Sequence, residues 1–153
     1  MMDWQSSKIV FETWPTAVVV SDFQYGADVF AGRAVTEQKG PRNPVKDIFA
    51  GEMPTREQVL ADPAKWKRSF FGLGGRSAWD ETAVLAAVRG AERHFDVCRG
   101  RYRMIDADGE NEWTSDEENG SHVRLVEKTS KTEVAAIIDE LICRGVKDRQ
   151  NHQ

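Results

Sequence analysis

The side chain in this sequence best suited to chemistry is Asp80. It stands in Gly74-Gly75-Arg76-Ser77-Ala78-Trp79-Asp80-Glu81-Thr82-Ala83-Val84-Leu85, a glycine-rich turn that runs into an acidic residue where a helix begins. A carboxylate is a hard oxygen donor of the kind Ca²⁺ or Mg²⁺ takes. One carboxylate is not a metal site, however, and an Asp at the head of a helix ordinarily caps it by accepting a free N–H of the first turn. On the residues alone both roles stay open for Asp80, and Ser77 is a second candidate for the cap.

Other chemistry-bearing residues point less sharply. Asp22 follows a short apolar run, at the strand end where ligands bind in open α/β sheets, although Asp more often serves a turn or cap in that position. Lys65, Trp66, Lys67, Arg68, Phe70 and Phe71 mix basic and aromatic side chains. They read as a partly buried surface turn, because aromatics normally serve packing. Asp106-Ala107-Asp108-Gly109-Glu110 lacks the glycine spacing and flanking helices of a calcium-binding EF-hand, and Asp108-Gly109 is a hairpin signal. His94, His122 and His152 form no ligand pattern. The first two fall at element edges as partly exposed structural histidines. No Ser-His-Asp arrangement and no phosphate-cradling loop is present.

The elements that must position Asp80 are legible in part. Met1 to Thr13 reads as a helix without an evident N-cap, with Trp4, Lys8 and Phe11 on one side and Ile9 and Val10 widening the apolar face. Pro15 ends it. Ala17-Val18-Val19-Val20 reads as a strand buried on both faces. Gly26 to Ala31 reads as a short helix closed by Gly32, and Thr36 to Pro44 as a loop. Asn43 and Thr55 are caps for short helices over Pro44–Phe49 and up to Leu60. In the Asp80 helix, Ala83, Val84, Ala87 and Val88 share one apolar face, with Leu85 beside them. Arg101 to Ile105 and Glu112 to Thr114 form a hairpin, Thr114 to Ser121 an acidic loop, and His122 to Glu127 a strand. Ser130 and Glu133 make a capping box, followed by a core stripe of Val134, Ile137, Ile138, Leu141 and Ile142 that Gly145 ends.

A length of 153 residues, 40% hydrophobic and 30% charged, suits one globular domain with a real core. We divide it into a body, 1–147, and a polar tail, 148–153. The net charge of -4 argues against broad phosphate-directed nucleic-acid binding. Cys98 and Cys143 suit neither a zinc site nor a disulfide framework and read as buried free thiols. No apolar run is long enough to span a membrane, and the start, Met1-Met2-Asp3-Trp4-Gln5, has no signal-peptide pattern. The default expectation is a cytoplasmic protein.

Several segments together resemble the inosine/uridine-preferring nucleoside hydrolases. Ser77 to Leu85, followed by Ala87-Val88-Arg89-Gly90, is similar to that family's C-terminal motif, in a bacterial branch with Trp-Asp where better-studied members have His-Asp. Ser7-Lys8-Ile9-Val10-Phe11-Glu12-Thr13-Trp14-Pro15-Thr16 and Asn43-Pro44-Val45-Lys46-Asp47 fit the same branch, in the right order. The resemblance covers roughly Asp3 to Leu141. It implies an α/β fold, part of an open, mainly parallel sheet with a C-terminal β-hairpin region and a terminal helix.

It also implies cleavage of the N-glycosidic bond of a ribonucleoside by a Ca²⁺-activated water. Asp80 would be a Ca²⁺ ligand. Trp79 would line the substrate pocket, since indole cannot act as the acid that histidine provides. The family's Asp-x-Asp-x-x-x-Asp-Asp cluster, which carries the base and most metal ligands, does not occur in these residues. The expectation is therefore the C-terminal part of such an enzyme, catalytically inactive alone. Its exposed parallel edge should pair with the missing N-terminal half or a second copy. The alternative is a non-catalytic remnant or interaction module of the same fold.

Overall fold

A computed structural model of the chain describes residues 3–39, 44–51, 53–108 and 110–150. The elements run α1 (Trp4–Thr13), β1 (Val18–Val20), α2 (Phe23–Ala27), β2 (Phe30–Gly32), α3 (Arg33–Glu37), α4 (Pro44–Ala50), α5 (Arg56–Ala61) and α6 (Pro63–Arg68). They continue with β3 (Phe71–Gly72), β4 (Gly75–Ser77), α7 (Trp79–Arg89), α8 (Ala91–His94), β5 (Phe95–Met104), β6 (Asn111–Ser115), β7 (His122–Glu127) and α9 (Lys131–Gln150). The fold is mixed α/β. Four strands form a mixed sheet in the order β1-β7-β5-β6, and β2-β4-β3 form a small antiparallel sheet. Among the described residues only β1 on β7 is parallel, Val18 facing His122 and Val20 facing Arg124, so the larger sheet is mainly antiparallel rather than mainly parallel.

Side-chain alternation along β5 and β7 divides the larger sheet into two faces. Phe95 and Leu125 meet Leu85 and Ala86 of α7 and Val134, Ala135 and Ile138 of α9 in the main core. The opposite face carries His122 and Tyr102, whose rings meet Phe11 of α1 at 5.4 and 5.8 Å. The expected side of α1 does face the sheet, with Trp4, Lys8 and Phe11 half-buried. Ile9 and Val10 stay exposed. The helix is capped after all: the carboxylate of Asp3 accepts the Ser6 N–H at 3.1 Å.

The Ser130–Glu133 capping box and the α9 stripe are present as read, with Val134 and Ile138 buried and Ile137, Leu141 and Ile142 packed against the core. Thr55 caps α5 with a reciprocal Gln58 bond. The β5–β6 hairpin is present, and the Asp106 carboxylate accepts the N–H groups of Asp108 and Glu110 as a turn does. The expected roles of Asn43, Gly109 and His152 lie outside the described residues.

Several expectations need correction. Val19 is 51% exposed, so β1 is not buried on both faces; among the described residues β7 is its one strand neighbour. Residues 26–31 are not one helix. The segment breaks at Asp28 and enters β2, because β4 offers it antiparallel partners from Gly32–Gly75 to Phe30–Ser77. Arg33–Glu37 and Pro63–Arg68 are helices, the second capped by Asp62 through the Lys65 N–H. Helix α9 continues through Gly145 to Gln150. An interior glycine costs only about 1 kcal/mol of propensity, so it need not stop a long helix. His122 is buried rather than partly exposed, and the side chains of Cys98 and Cys143 are only half-buried.

A cleft at the head of the Asp80 helix

The turn before α7 is set by close backbone approach. A Cβ at Gly74 would lie 2.2 Å from the Phe30 carbonyl oxygen. Gly75, with φ +133, would place one 2.0 Å from that of Ala31. Only glycine lets β4 lie this near β2. Phe70 takes φ 64, a left-handed conformation uncommon for a bulky residue. There its carbonyl accepts the Ser77 N–H at 2.9 Å. From the other side, buried Arg33 donates from Nε to the Leu73 carbonyl at 2.6 Å and from Nη2 to that of Pro54 at 3.0 Å. Burial holds this guanidinium below its ordinary pKa.

The helix start is fixed by main-chain bonds rather than by a side-chain cap. Ala78 is the N-cap, and no side chain caps the helix. The Ala78 N–H donates to the Val29 carbonyl at 2.9 Å. Ser77 does not cap, because its hydroxyl is spent on the Ala27 carbonyl at 2.6 Å. Asp80 does not cap either. It lies inside the first turn beside Glu81, where both carboxylates complement the helix dipole. Thr82, fully buried, donates to the Trp79 carbonyl at 2.7 Å and accepts from the Ser21 hydroxyl at 2.8 Å. That bond docks the first turn of α7 against the carboxyl end of β1.

Trp79 is half-buried, and a Cβ at Gly26 would lie 2.6 Å from its Cδ1. Its Nε1 donates to the Phe23 carbonyl at 3.0 Å. The indole stacks on Phe23, centroids 5.4 Å apart, and meets Phe70 edge-on at 5.0 Å. With its N–H engaged, the ring offers an apolar wall and no proton. Asp80 is exposed, and among the described residues no group bonds its carboxylate.

A cleft of about 590 Å³ opens here, with Asp47 and Ile48 of α4 on one side and Arg76, Trp79, Asp80 and Glu81 on the other. Helix α4 is held in place where the ring of Phe49 occupies the space a side chain at Gly32 would need. The two residues singled out from the sequence, Trp79 and Asp80, thus share one cleft. Asp22 does not line it: its carboxylate caps α2 through the Gln24 N–H at 2.8 Å. The sequence reading missed Arg76 as a cleft residue and Arg33 as an anchor. Nothing in residue type distinguishes an arginine that lines a cleft from one on an ordinary surface.

Hard cations take six to eight oxygen ligands. Among the described residues no group of three or more His, Cys, Asp or Glu side chains converges as a metal site would require. The donor set therefore does not fit a complete Ca²⁺ site. Asp80 offers one outward carboxylate, with Glu81 next to it. Among the described residues no helix is long and apolar enough to cross a membrane. No family model, curated protein or solved structure matches the chain.

Proposed function

We propose that this chain supplies one side of a nucleoside-hydrolase-like site. In that reading Asp80 is a single carboxylate ligand and Trp79 an apolar wall for the substrate, which is a ribonucleoside cleaved at its N-glycosidic bond. The observation that carries it is the outward, unbonded carboxylate of Asp80, which lines a cleft and stands on the helix turn that Thr82 docks on Ser21, just past the carboxyl end of β1. That is the end of a strand where open α/β sheets take ligands. The sequence resemblance adds the chemistry: Asp80 would be one ligand of a hard cation, which when bound would supply orientation of the ribose hydroxyls and activation of a water. The base and the remaining cation ligands belong, on this proposal, to polypeptide outside the described residues. This chain alone is inactive.

Calorimetry with Ca²⁺ tests the reading directly. A lone carboxylate in a cleft should bind weakly, at a Kd on the order of 10⁻³ M or above, in the range of the weakest protein Ca²⁺ sites. Asp80→Ala should abolish that binding. Micromolar Ca²⁺ affinity of the isolated chain, or binding unchanged in Asp80→Ala, would sink the partial-site model.

A second reading, an interaction module without catalysis, is favoured by one observation. Ala83, Val84, Ala87 and Val88, which share an apolar face in the sequence pattern, are all exposed. The face of α7 that packs is instead Thr82, Leu85 and Ala86.

A further inference from the structure

A second cavity, of about 490 Å³, shares Phe71 with the Asp80 cleft and no other lining residue. Three parts of the fold meet around it: the small sheet with Phe30, Phe71 and Gly72, the α5–α6 segment with Val59 and Lys67, and the first turns of α9 with Lys131. Most of the lining is apolar, and Val59 is buried. The Phe30 ring lies so close over Gly72 that a Cβ there would stand 2.7 Å from its Cδ2. The polar groups converge on one carboxylate. Asp28 takes Lys67 Nζ on Oδ1 at 3.0 Å and Lys131 Nζ on Oδ2 at 3.2 Å. Lys131 Nζ also stands 5.6 Å from the centroid of the Tyr25 ring, within cation–π reach. The bond from Lys67 above all, and then those from Lys131, hold the Asp28 carboxyl below its ordinary pKa against its partial burial. An ammonium carries three donors, and Asp28 occupies one on each lysine. Two cations are thus positioned by one anion, with one positive charge and several donors left over. Thr132 adds a hydroxyl that has no partner among the described residues.

We propose that this cavity binds a small apolar monocarboxylate, its carboxylate between Lys67 and Lys131 and its aryl or alkyl body against Phe30, Phe71 and Leu73. The lining has the form usual for a small-molecule site, mostly apolar with a few convergent polar groups that fix orientation. The Lys67 side chain is 67% exposed and that of Lys131 29%, so the charged end of the ligand sits at the mouth and keeps part of its water. Charge selects the class. One carboxylate balances the surplus of the Lys67–Asp28–Lys131 cluster. A phosphate dianion exceeds it, a cation is repelled, and a neutral molecule leaves the charge unmatched. Asp28 stays in place. It holds the two ammonium groups together before the ligand arrives, which lowers the ordering cost of binding. The inference does not rest on the nucleosidase reading, since neither Asp80 nor Trp79 lines this cavity.

An NMR titration of the full chain with 3-phenylpropanoate tests the proposal, with its neutral amide, 3-phenylpropanamide, and phenyl phosphate as comparisons. The carboxylate should bind with a Kd on the order of 10⁻³ M, ordinary for a ligand of this size. Amide shifts should centre on residues 71–74 and 131–135. The neutral amide and the phosphate should each bind about tenfold more weakly or worse. Lys131→Gln should weaken carboxylate binding by about tenfold. Lys67→Gln, at the more exposed site, should weaken it by about threefold. The exposure of Lys67 also means that the fold survives its replacement. Equal affinity for the acid and its amide would overturn the inference, as would tighter binding of the phosphate. So would affinity unchanged in both lysine variants, shifts confined to other parts of the chain, or no shift at ligand concentrations about tenfold above that Kd.

Discussion

The Nδ1 atom of His122 accepts the main-chain N–H of Tyr102 at 2.7 Å. The ring's tautomer is thereby fixed, with the proton on Nε2, which donates to the carbonyl of Phe11 at 2.8 Å. One buried imidazole thus ties together α1, β5 and β7. It does so where α1 has no fully buried side chain of its own.

His122→Ala should therefore cost about 2–4 kcal/mol, since it orphans a buried N–H and opens space under Phe11. Urea unfolding followed by tryptophan fluorescence measures the loss. Amide exchange in α1 should accelerate more than in α9. Equal acceleration in both would mean that the histidine is not the anchor of α1.

Tyr25 is 6% exposed, and its hydroxyl finds no partner among the described residues. Burial, with Glu127 adding to it, pushes the phenol up to about 12 from 10.0. The folded-state pKa is raised, so the stabilisation it represents is complete below pH 10.0 and is lost as the pH climbs toward about 12. Tyr25→Phe should remove that alkaline loss. At neutral pH it should be neutral or stabilising by about 1 kcal/mol, because a buried unpaired hydroxyl disappears. Thermal unfolding of both proteins between pH 8 and 11 checks the sign.

Leu85 is 3% exposed, whereas its neighbour Val84 is 59% exposed. In dilute solution Leu85→Ala should cost about 2–5 kcal/mol, and Val84→Ala within about 0.5 kcal/mol. The opposite ranking, read from denaturant midpoints, would mean that α7 is rotated from the register described here.

That contrast also shows how far the sequence could be read. Periodicity identified α7 as a helix but not which of two apolar faces meets the sheet. Ala83, Val84, Ala87 and Val88 look as core-like as Leu85 and Ala86, and only the docking of Thr82 on Ser21 decides between them. The α9 helix was legible because a single stripe and a capping box agree. Strands of two or three residues carry no period, so β2, β3 and β4 could not be read from it; their pairing rests on Gly74 and Gly75 approaching Phe30 and Ala31. Trp79 and Asp80, the residues singled out from the sequence, line one cleft, and the rest of its lining carried no such signal. Asp47 and Arg76 meet in the cleft only through tertiary packing.

The parallel seam between Val18–Val20 and His122–Arg124 has a kinetic consequence. Among the described residues, β1 has no strand neighbour except β7, which the ribosome delivers roughly a hundred residues later, and pairing over such separations is intrinsically slow. Through most of translation the Val-Val-Val segment of the nascent polypeptide waits without its mate. Chaperone dependence during synthesis should accordingly concentrate on this amino-terminal stretch, and should ease once His122 and the residues after it leave the exit tunnel.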